Sequence, residues 1–323
     1  MKKTAYIIDA FAQIFRAFYA GPLMNNSKGE YTNAVFGFAR FLLYMEKEYN
    51  PEYGAVVFDK GKPAERIKIL PEYKANRKPM PEELRVQLDY IRELTAAFGY
   101  PLIEEEDKEA DDVIAGLAAY FKDYEIYIIS ADKDIAQVID ERVKMLIPGT
   151  PKKGLVLRGV NDVIEKFSVS PGQIIDYLAM LGDASDNIPG LQGVGKITAA
   201  KLLNEYSSIE NMINNPDSIS NKKIREKIIQ NRELLKKNIQ LITLSTDLDE
   251  KHRSGTVILK KTPEWNSILE IAEKLELKSF IKAVNSYLKE NEILLTEKNN
   301  QLKSDSEKHD RSIEKMYTPD MFE

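Results

Sequence analysis

The sequence predicts an α/β fold: a central, mainly parallel sheet flanked by helices, continued by a helical C-terminal region. Three apolar runs in the first half, each of strand length and strand composition, end on an aspartate: AYIID at Asp9, GAVVFD at Asp59 and IYIISAD at Asp132. Between them stand segments that are apolar at i, i+3 and i+4, giving the strand–helix–strand alternation of a parallel crossover. Beyond about residue 150 the helical period dominates. An aspartate directly after a buried parallel strand lies on the rim where open α/β sheets place their ligands. The fold class therefore gathers carboxylates at one edge.

After the first strand, AFAQIFRAFYA has helical spacing, and NAVFGFARFLLYMEKEY repeats it beyond a polar, glycine-containing loop. After Asp59 the pattern breaks in the proline-rich stretch KGKPAERIKILPEYKANRKPMP, which has little amphipathic regularity. Its residues 60–78 hold seven basic side chains, Lys60, Lys62, Arg66, Lys68, Lys74, Arg77 and Lys78, against Glu65 and Glu72, a local net charge of +5 on a chain whose total is −5. Because this run starts one residue after Asp59, it reads as a contact for an anionic substrate rather than as a solvated loop. The stretch 82–98 is predicted as one helix, 101–103 as a short strand, 109–122 as a helix, 125–130 as a strand, and DIAQVI as a helix capped by Asp132.

The stretch LGDASDNIPGLQGVGKITAAKLLNEY reads as a helix ending near Leu181, a turn carrying Asp183 and Asp186, a glycine-rich hairpin around Gly193 and Gly195, and a helix from Lys196 to Tyr206. Glycines at that junction let a phosphate approach backbone N–H groups at a helix N-terminus. A nucleotide phosphate loop is excluded by its spacing, since Ile197 follows the lysine and no strand precedes the glycines. A helix-hairpin-helix, which grips the sugar-phosphate backbone without reading sequence, is the better reading. Downstream, NKKIREKIIQNRELLKK again sets seven basic residues against two acidic ones, an extension of the same track.

Composition narrows the chemistry. With no cysteine, the chain has no disulfide, no thiolate nucleophile and no zinc-thiolate site, which fits a reducing cytoplasm. Its two histidines, His252 and His309, lie far in sequence from the acidic clusters, so any metal ligands are oxygen. The start MKKTAYIIDAF imitates a signal peptide, but Asp9 interrupts the apolar run, and no stretch approaches transmembrane length, so no membrane role is expected. Nine acidic residues, Asp9, Asp59, Glu109, Asp111, Asp112, Asp132, Asp134, Asp183 and Asp186, could share one cleft. Like charges at that density call for hard divalent cations between them, Mg²⁺ or Mn²⁺. Each cluster also has a plainer reading: EADD places its carboxylates in the first turn of a helix, where they complement the dipole.

The ordered set Asp9 with Arg16 in FRAFYA, VVFD, YKANR, EADD, ADKD and LGDASDNIPGLQGVGKITA resembles the 5′ nuclease domain of bacterial DNA polymerase I, and more distantly the flap endonucleases. Ala10 departs from the glycine usual after the first aspartate. The resemblance implies a resolvase-like (PIN-like) fold and a structure-specific 5′ to 3′ exonuclease and flap endonuclease working by two-metal-ion catalysis in replication and repair. It implies one metal held by Asp9, Asp59, Glu109 and Asp111, and another by Asp132, Asp134 and Asp183, with Asp112 and Asp186 orienting ligands. Lys74, Arg77 and Arg16 would act on the phosphate, Tyr73 would stack on a base, and Lys78, Gly190, Gly193, Val194, Gly195 and Lys196 would hold DNA. A K⁺ ion among the hairpin carbonyls is implied too, as are branched or RNA-primed DNA as partner and a monomeric state. The organisation expected is a nuclease core over 1–170 with a basic arch at about 60–81, a DNA-binding helical region over 171–288 with the helix-hairpin-helix at about 180–206, and a polar tail over 289–323 whose MYTPDMFE end could dock a replication protein. Two rivals are a D-x-D phosphatase, which lacks its second aspartate because Phe11 stands there, and a non-catalytic branched-DNA-binding protein, which would have no need of all nine carboxylates.

Overall fold

Buried on both faces, the strand sequences KTAYIID, YGAVV and YEIYII can run as near-continuous apolar stretches, as parallel strands covered by helices do. The computed structural model describes residues 2–149 and 154–292. They fall into two compact units, one up to Ile268 and one from Leu269. The first unit holds a six-stranded sheet in the order β3-β2-β1-β4-β5-β6, built from β1 (Lys3–Asp9), β2 (Tyr53–Val57), β3 (Leu102–Ile103), β4 (Tyr124–Ile129), β5 (Val143–Pro148) and β6 (Leu155–Arg158). All pairings are parallel except β5 with β6. From β1 the chain builds outward to β2 and β3, then returns to add β4 on the other side. The crevice beyond the carboxyl ends of β1 and β4 is thus the switch point at which such sheets bind ligands.

Helices α1 (Ala10–Tyr19), α2 (Asn33–Glu48), α3 (Ala64–Ile69), α4 (Glu82–Arg85), α5 (Leu88–Ala97), α6 (Ala110–Tyr120) and α7 (Val160–Phe167) belong to the α/β part. α8 (Ile174–Leu181), α9 (Lys196–Tyr206), α10 (Ile209–Asn214), α11 (Lys222–Gln230) and α12 (Arg232–Ile242) make the helical region. One continuous core joins them, running from Ala5, Ile7 and Val113 through Met180 and Leu203 to Leu235 and Ile258. The second unit carries the end of α13 (Trp265–Lys274) and the helical residues 278–292. No helix among the described residues is long and apolar enough to cross a membrane. Of the polar tail expected over 289–323, everything past 292, including MYTPDMFE, lies outside the described residues.

Three expectations for local structure are corrected, and one hairpin is added. The single helix over 82–98 is split at Val86–Gln87, because the wholly buried Gln87 side chain accepts from the N–H groups of Ala34 (2.8 Å) and Val35 (3.1 Å) and so satisfies the first turn of α2. DIAQVI is a 3-10 turn over Asp134–Val138. It is cut short where Asp140 accepts from Arg142 N (2.7 Å) and Val143 N (2.6 Å) to turn the chain into β5. The β5–β6 hairpin was not foreseen, since β6 is half-buried to exposed and shows no buried face. Within 60–81 the chain forms α3 rather than irregular loop alone, and Arg66 on that helix is buried instead of facing an anion.

Candidate active site

Asp9 ends β1 and caps α1: its Oδ1 accepts from Ala12 N (3.0 Å), and its Oδ2 from the Ser130 hydroxyl (2.9 Å) just past β4. Burial pushes its carboxyl up to about 6, and Asp59 and Asp132 push the same way, against the pull of those two hydrogen bonds. Ser130 in turn accepts from Asp132 N (3.1 Å), and Asp132 accepts from Asp134 N (2.9 Å). The ends of β1 and β4 are thereby stitched through one hydroxyl. Asp59, just past β2, accepts from Ala110 N (2.8 Å) at the start of α6, and its carboxyl is raised by burial and by Glu109. Asp111, on the first turn of α6, is raised well above the ordinary range by burial and by Asp9, Asp132, Asp59 and Asp134.

Asp134 is pushed up to about 7, first by burial and then by Asp132, and its Oδ1 is buried with no hydrogen-bond partner. With Asp183 and Asp186 it offers ligand atoms all within 4.8 Å of one another. Asp183 accepts from Ser185 N (2.8 Å) and from Lys133 Nζ (2.7 Å), and these bonds overcome its burial and hold its carboxyl below the ordinary range. Asp186, almost fully buried, receives Arg77 Nη2 (2.5 Å) and the Tyr73 hydroxyl (3.0 Å). The same hydroxyl oxygen lies 2.9 Å from Glu109 Oε2, so its single proton serves one carboxylate or the other, and Glu109 also receives Lys74 and Arg66 Nη1 (3.0 Å).

Tyr73, Lys74 and Arg77 form a wall between two cavities. One, of about 280 Å³, is lined by Asp134, Asp183 and Asp186. The other, of about 950 Å³, is lined by Asp9, Asp59, Phe11, Phe15, Lys62 and Met80. Glu109, Asp111 and Asp132 face both. Eight of the nine predicted carboxylates are therefore brought together.

Asp112 is the one that is not. Its carboxylate is clasped by Arg66 Nη1 (2.5 Å) and Nη2 (2.8 Å) and accepts from Ser245 N (2.8 Å), so it faces away from both cavities. The reason is helical: one residue on from Asp111 is a rotation of about 100°. Tyr73, expected to stack on a base, is buried here with its hydroxyl set between two carboxylates, and it lines both cavities. Arg16 is exposed, donates to the Gly149 carbonyl (3.4 Å) and lines neither cavity, and Lys78 is exposed and lines neither. Ala10 is wholly buried as the first residue of α1. Sequence reading missed Ser130, Lys133 and the structural role of Arg66. The first two flank Asp132 and so had a positional signal, whereas Arg66 meets partners 43 and 46 residues away and had none.

The glycine hairpin lies between α8 and α9. Gly190 serves packing, since a Cβ there would fall 2.1 Å from the Leu181 carbonyl oxygen. Val194 turns its side chain into the core. Gly193 takes the left-handed conformation at φ 75°, and Gly195 and Lys196 stand exposed at the start of α9.

The donor set fits divalent cations. It is all oxygen, Asp111 and Asp134 are raised first by burial and then by their acidic neighbours, which a bound cation would relieve, and the orphaned Asp134 Oδ1 is an acceptor with nothing on it.

Family descriptions match nearly the whole first unit: "5′-3′ exonuclease, N-terminal resolvase-like domain" over residues 4–168 and "5′-3′ exonuclease, C-terminal SAM fold" over 169–264. The chain is 38% identical over 290 residues to the 5′-3′ exonuclease of Aquifex aeolicus, covering 89% of this chain and 97% of that one. It is 42% identical over 283 residues to DNA polymerase I of Caldicellulosiruptor bescii, covering 85% of this chain but only 33% of that protein. Among solved structures, the phage T5 D15 protein co-crystallised with metal ions shares the fold at a TM-score of 0.63 and 21% identity, covering 88% and 99% of the two chains. The catalytic core of Rad2 in complex with DNA substrate does so at 0.56 and 15%, covering 85% and 88%.

Proposed function

The chain belongs to the 5′-3′ exonuclease family, and from that premise we propose that it hydrolyses phosphodiester bonds at 5′ ends and flaps of branched DNA, with Mg²⁺ as its metal and Mn²⁺ able to substitute. The observation that carries the reading is the convergence of eight carboxylates at the sheet's switch point, one with an orphaned oxygen, against a basic wall. Asp9, Asp59, Glu109 and Asp111 would hold one ion and Asp132, Asp134 and Asp183 the other, with Asp186 beside them. Bound ions of this kind lower the pKa of water and offset charge on the scissile phosphate. The protein's own part is positional. Ser130 fixes the Asp9 and Asp132 loops relative to each other, and Arg66 fixes the start of α6. Lys74 and Arg77, paired with Glu109 and Asp186 in this state, are the cations placed to turn to a substrate phosphate.

The proposed partner is DNA, with RNA-primed 5′ ends among its substrates, and the proposed setting is the cytoplasm, with the protein as a monomer. The test is cleavage of a labelled 5′ flap with Mg²⁺ and then with EDTA. Cleavage only with Mg²⁺ supports the nuclease. Flap binding without cleavage in Mg²⁺ would leave the non-catalytic branched-DNA-binding protein as the reading.

A further inference from the structure

Asp134, Asp183 and Asp186 offer oxygens that all lie within 4.8 Å of one another, and cations of the chain itself already meet them. Arg77 Nη2 (2.5 Å) and Lys74 Nζ (3.6 Å) reach Asp186, and Lys133 Nζ (2.7 Å) reaches Asp183. The six formal charges cancel. A divalent ion entering the trio therefore adds charge to a balanced set, and like charges at such range oppose one another steeply.

The three cations are not equivalent. Lys74 and Arg77 come from the segment after α3, far in sequence from the acids they meet, whereas Lys133 stands between Asp132 and Asp134 within the site. Its carbonyl accepts from Ala136 N (3.1 Å) at the 3-10 turn Asp134–Val138, and Ile135 and Ala136 on that turn are buried. The backbone thus keeps this side chain at the edge of the trio. On Asp183, Ser185 N (2.8 Å) and the Ser185 hydroxyl (2.6 Å) take Oδ1 and the ammonium takes Oδ2, so both oxygens are engaged. Asp134 Oδ1, by contrast, is buried with no partner, and an ion drawn to it meets the ammonium on the neighbouring carboxylate. Lys133 has somewhere else to go. It also lines an adjoining groove of about 440 Å³ walled by Met145, Ile147 and Phe167.

We propose that Lys133 is a tethered competitor for Asp183: its ammonium holds down the affinity of the trio for a divalent ion, and it yields the carboxylate by turning into the adjoining groove. The inference rests on the reading of the trio as a metal site. Lys133 is then a positioning residue that acts through its charge, a compact unit charge on a flexible stem, and it sets how tightly the ion at the trio is held. The consequence is exchange: an ion held against a built-in competitor leaves more readily than one held by three free carboxylates.

The test is Mn²⁺ binding to the full chain without DNA, read from the electron paramagnetic resonance of the free ion. Lys133→Met and Lys133→Gln are each expected to bind one Mn²⁺ at least about tenfold more tightly than wild type, since each removes a unit charge facing the ion. Lys133→Arg keeps the charge and should stay within about threefold of wild type. Lys78→Met, at an exposed position lining neither carboxylate cavity, should stay within about twofold. In an Asp183→Asn background, adding Lys133→Met should leave Mn²⁺ affinity unchanged, the mark of an effect carried through Asp183 rather than through the general field. A misfolded Lys133→Met would lose Mn²⁺ rather than gain it, and Lys133→Gln, which can keep a hydrogen bond to Asp183, is then the deciding variant. The proposal is overturned if the Gln variant binds Mn²⁺ no more tightly than wild type, or if the tightening persists undiminished with Asp183→Asn. A wild type and variants that all bind no Mn²⁺ would instead sink the metal-site reading on which the proposal stands.

Discussion

Asp132 and Asp134 show how much one residue can decide. Asp132→Ala is expected to lower the cleavage rate at least about a hundredfold, because metal-borne charge stabilisation is worth several kcal/mol. Flap affinity should stay within about tenfold, since removing an acidic charge does not weaken phosphate binding. Loss of folding together with binding would make Asp132 structural instead. The raised carboxyls of Asp9, near 6, and Asp134, near 7, give a pH signature. A carboxyl whose folded pKa lies above its unfolded value holds more protons in the folded state, so stability falls as pH rises from about 4 to 7. In EDTA the melting temperature should therefore drop between pH 5.5 and pH 8, and divalent ions should raise it far more at pH 8, where no proton has to be displaced. A flat melting temperature would contradict the crowding of these acids. Glu105 runs the other way below about pH 4: burial alone would raise its carboxyl, but Lys108 (2.7 Å) and His252 (2.7 Å) hold it low, so that contribution is lost as acid protonates it.

At the level of elements, the Arg66–Asp112 pair ties α3 to α6 and, through the Leu241 carbonyl (2.8 Å) and Ser245 N (2.8 Å), to the end of α12 and the chain beyond it. Removing one partner leaves a buried charge uncompensated, so Arg66→Met should cost about 3–5 kcal/mol in denaturant unfolding. Asp112→Asn should cost less, since an amide still accepts from Ser245. If Arg66→Met were instead to spare stability and abolish flap binding, the buried pairing would be wrong and the anion-contact reading of the basic run right. Gln87→Ala should cost about 1–2 kcal/mol, because two buried N–H groups of α2 lose their acceptor. Helix content by circular dichroism should change little, which separates a lost cap from a lost helix.

For the molecule as a whole, the core shared by the sheet and the α8–α12 region has its own consequence. Val113 and Ile128 pack in one cluster with Met180, Leu203 and Leu235, so residues 1–170 expressed alone would expose that face. Such a fragment should show retained far-ultraviolet but weakened near-ultraviolet dichroism and dye binding, and a sharp cooperative melt would overturn this. The sequence by itself determined the fold class and the rim, since strand composition and the closing aspartates Asp9, Asp59 and Asp132 are local signals with a period and a boundary. It also placed the glycine hairpin, because turn chemistry is local. Only the tertiary structure decided which carboxylate faces which cavity, that the Tyr73 hydroxyl sits between Glu109 and Asp186, that Arg66 is a buried clamp, and that Lys227 reaches the Gln192 carbonyl. These are pairings across 35 to 113 residues, and they depend on how helices rotate about their axes when packed. A residue's neighbours in sequence fix its conformation; its partner in space is fixed by the packing of everything between.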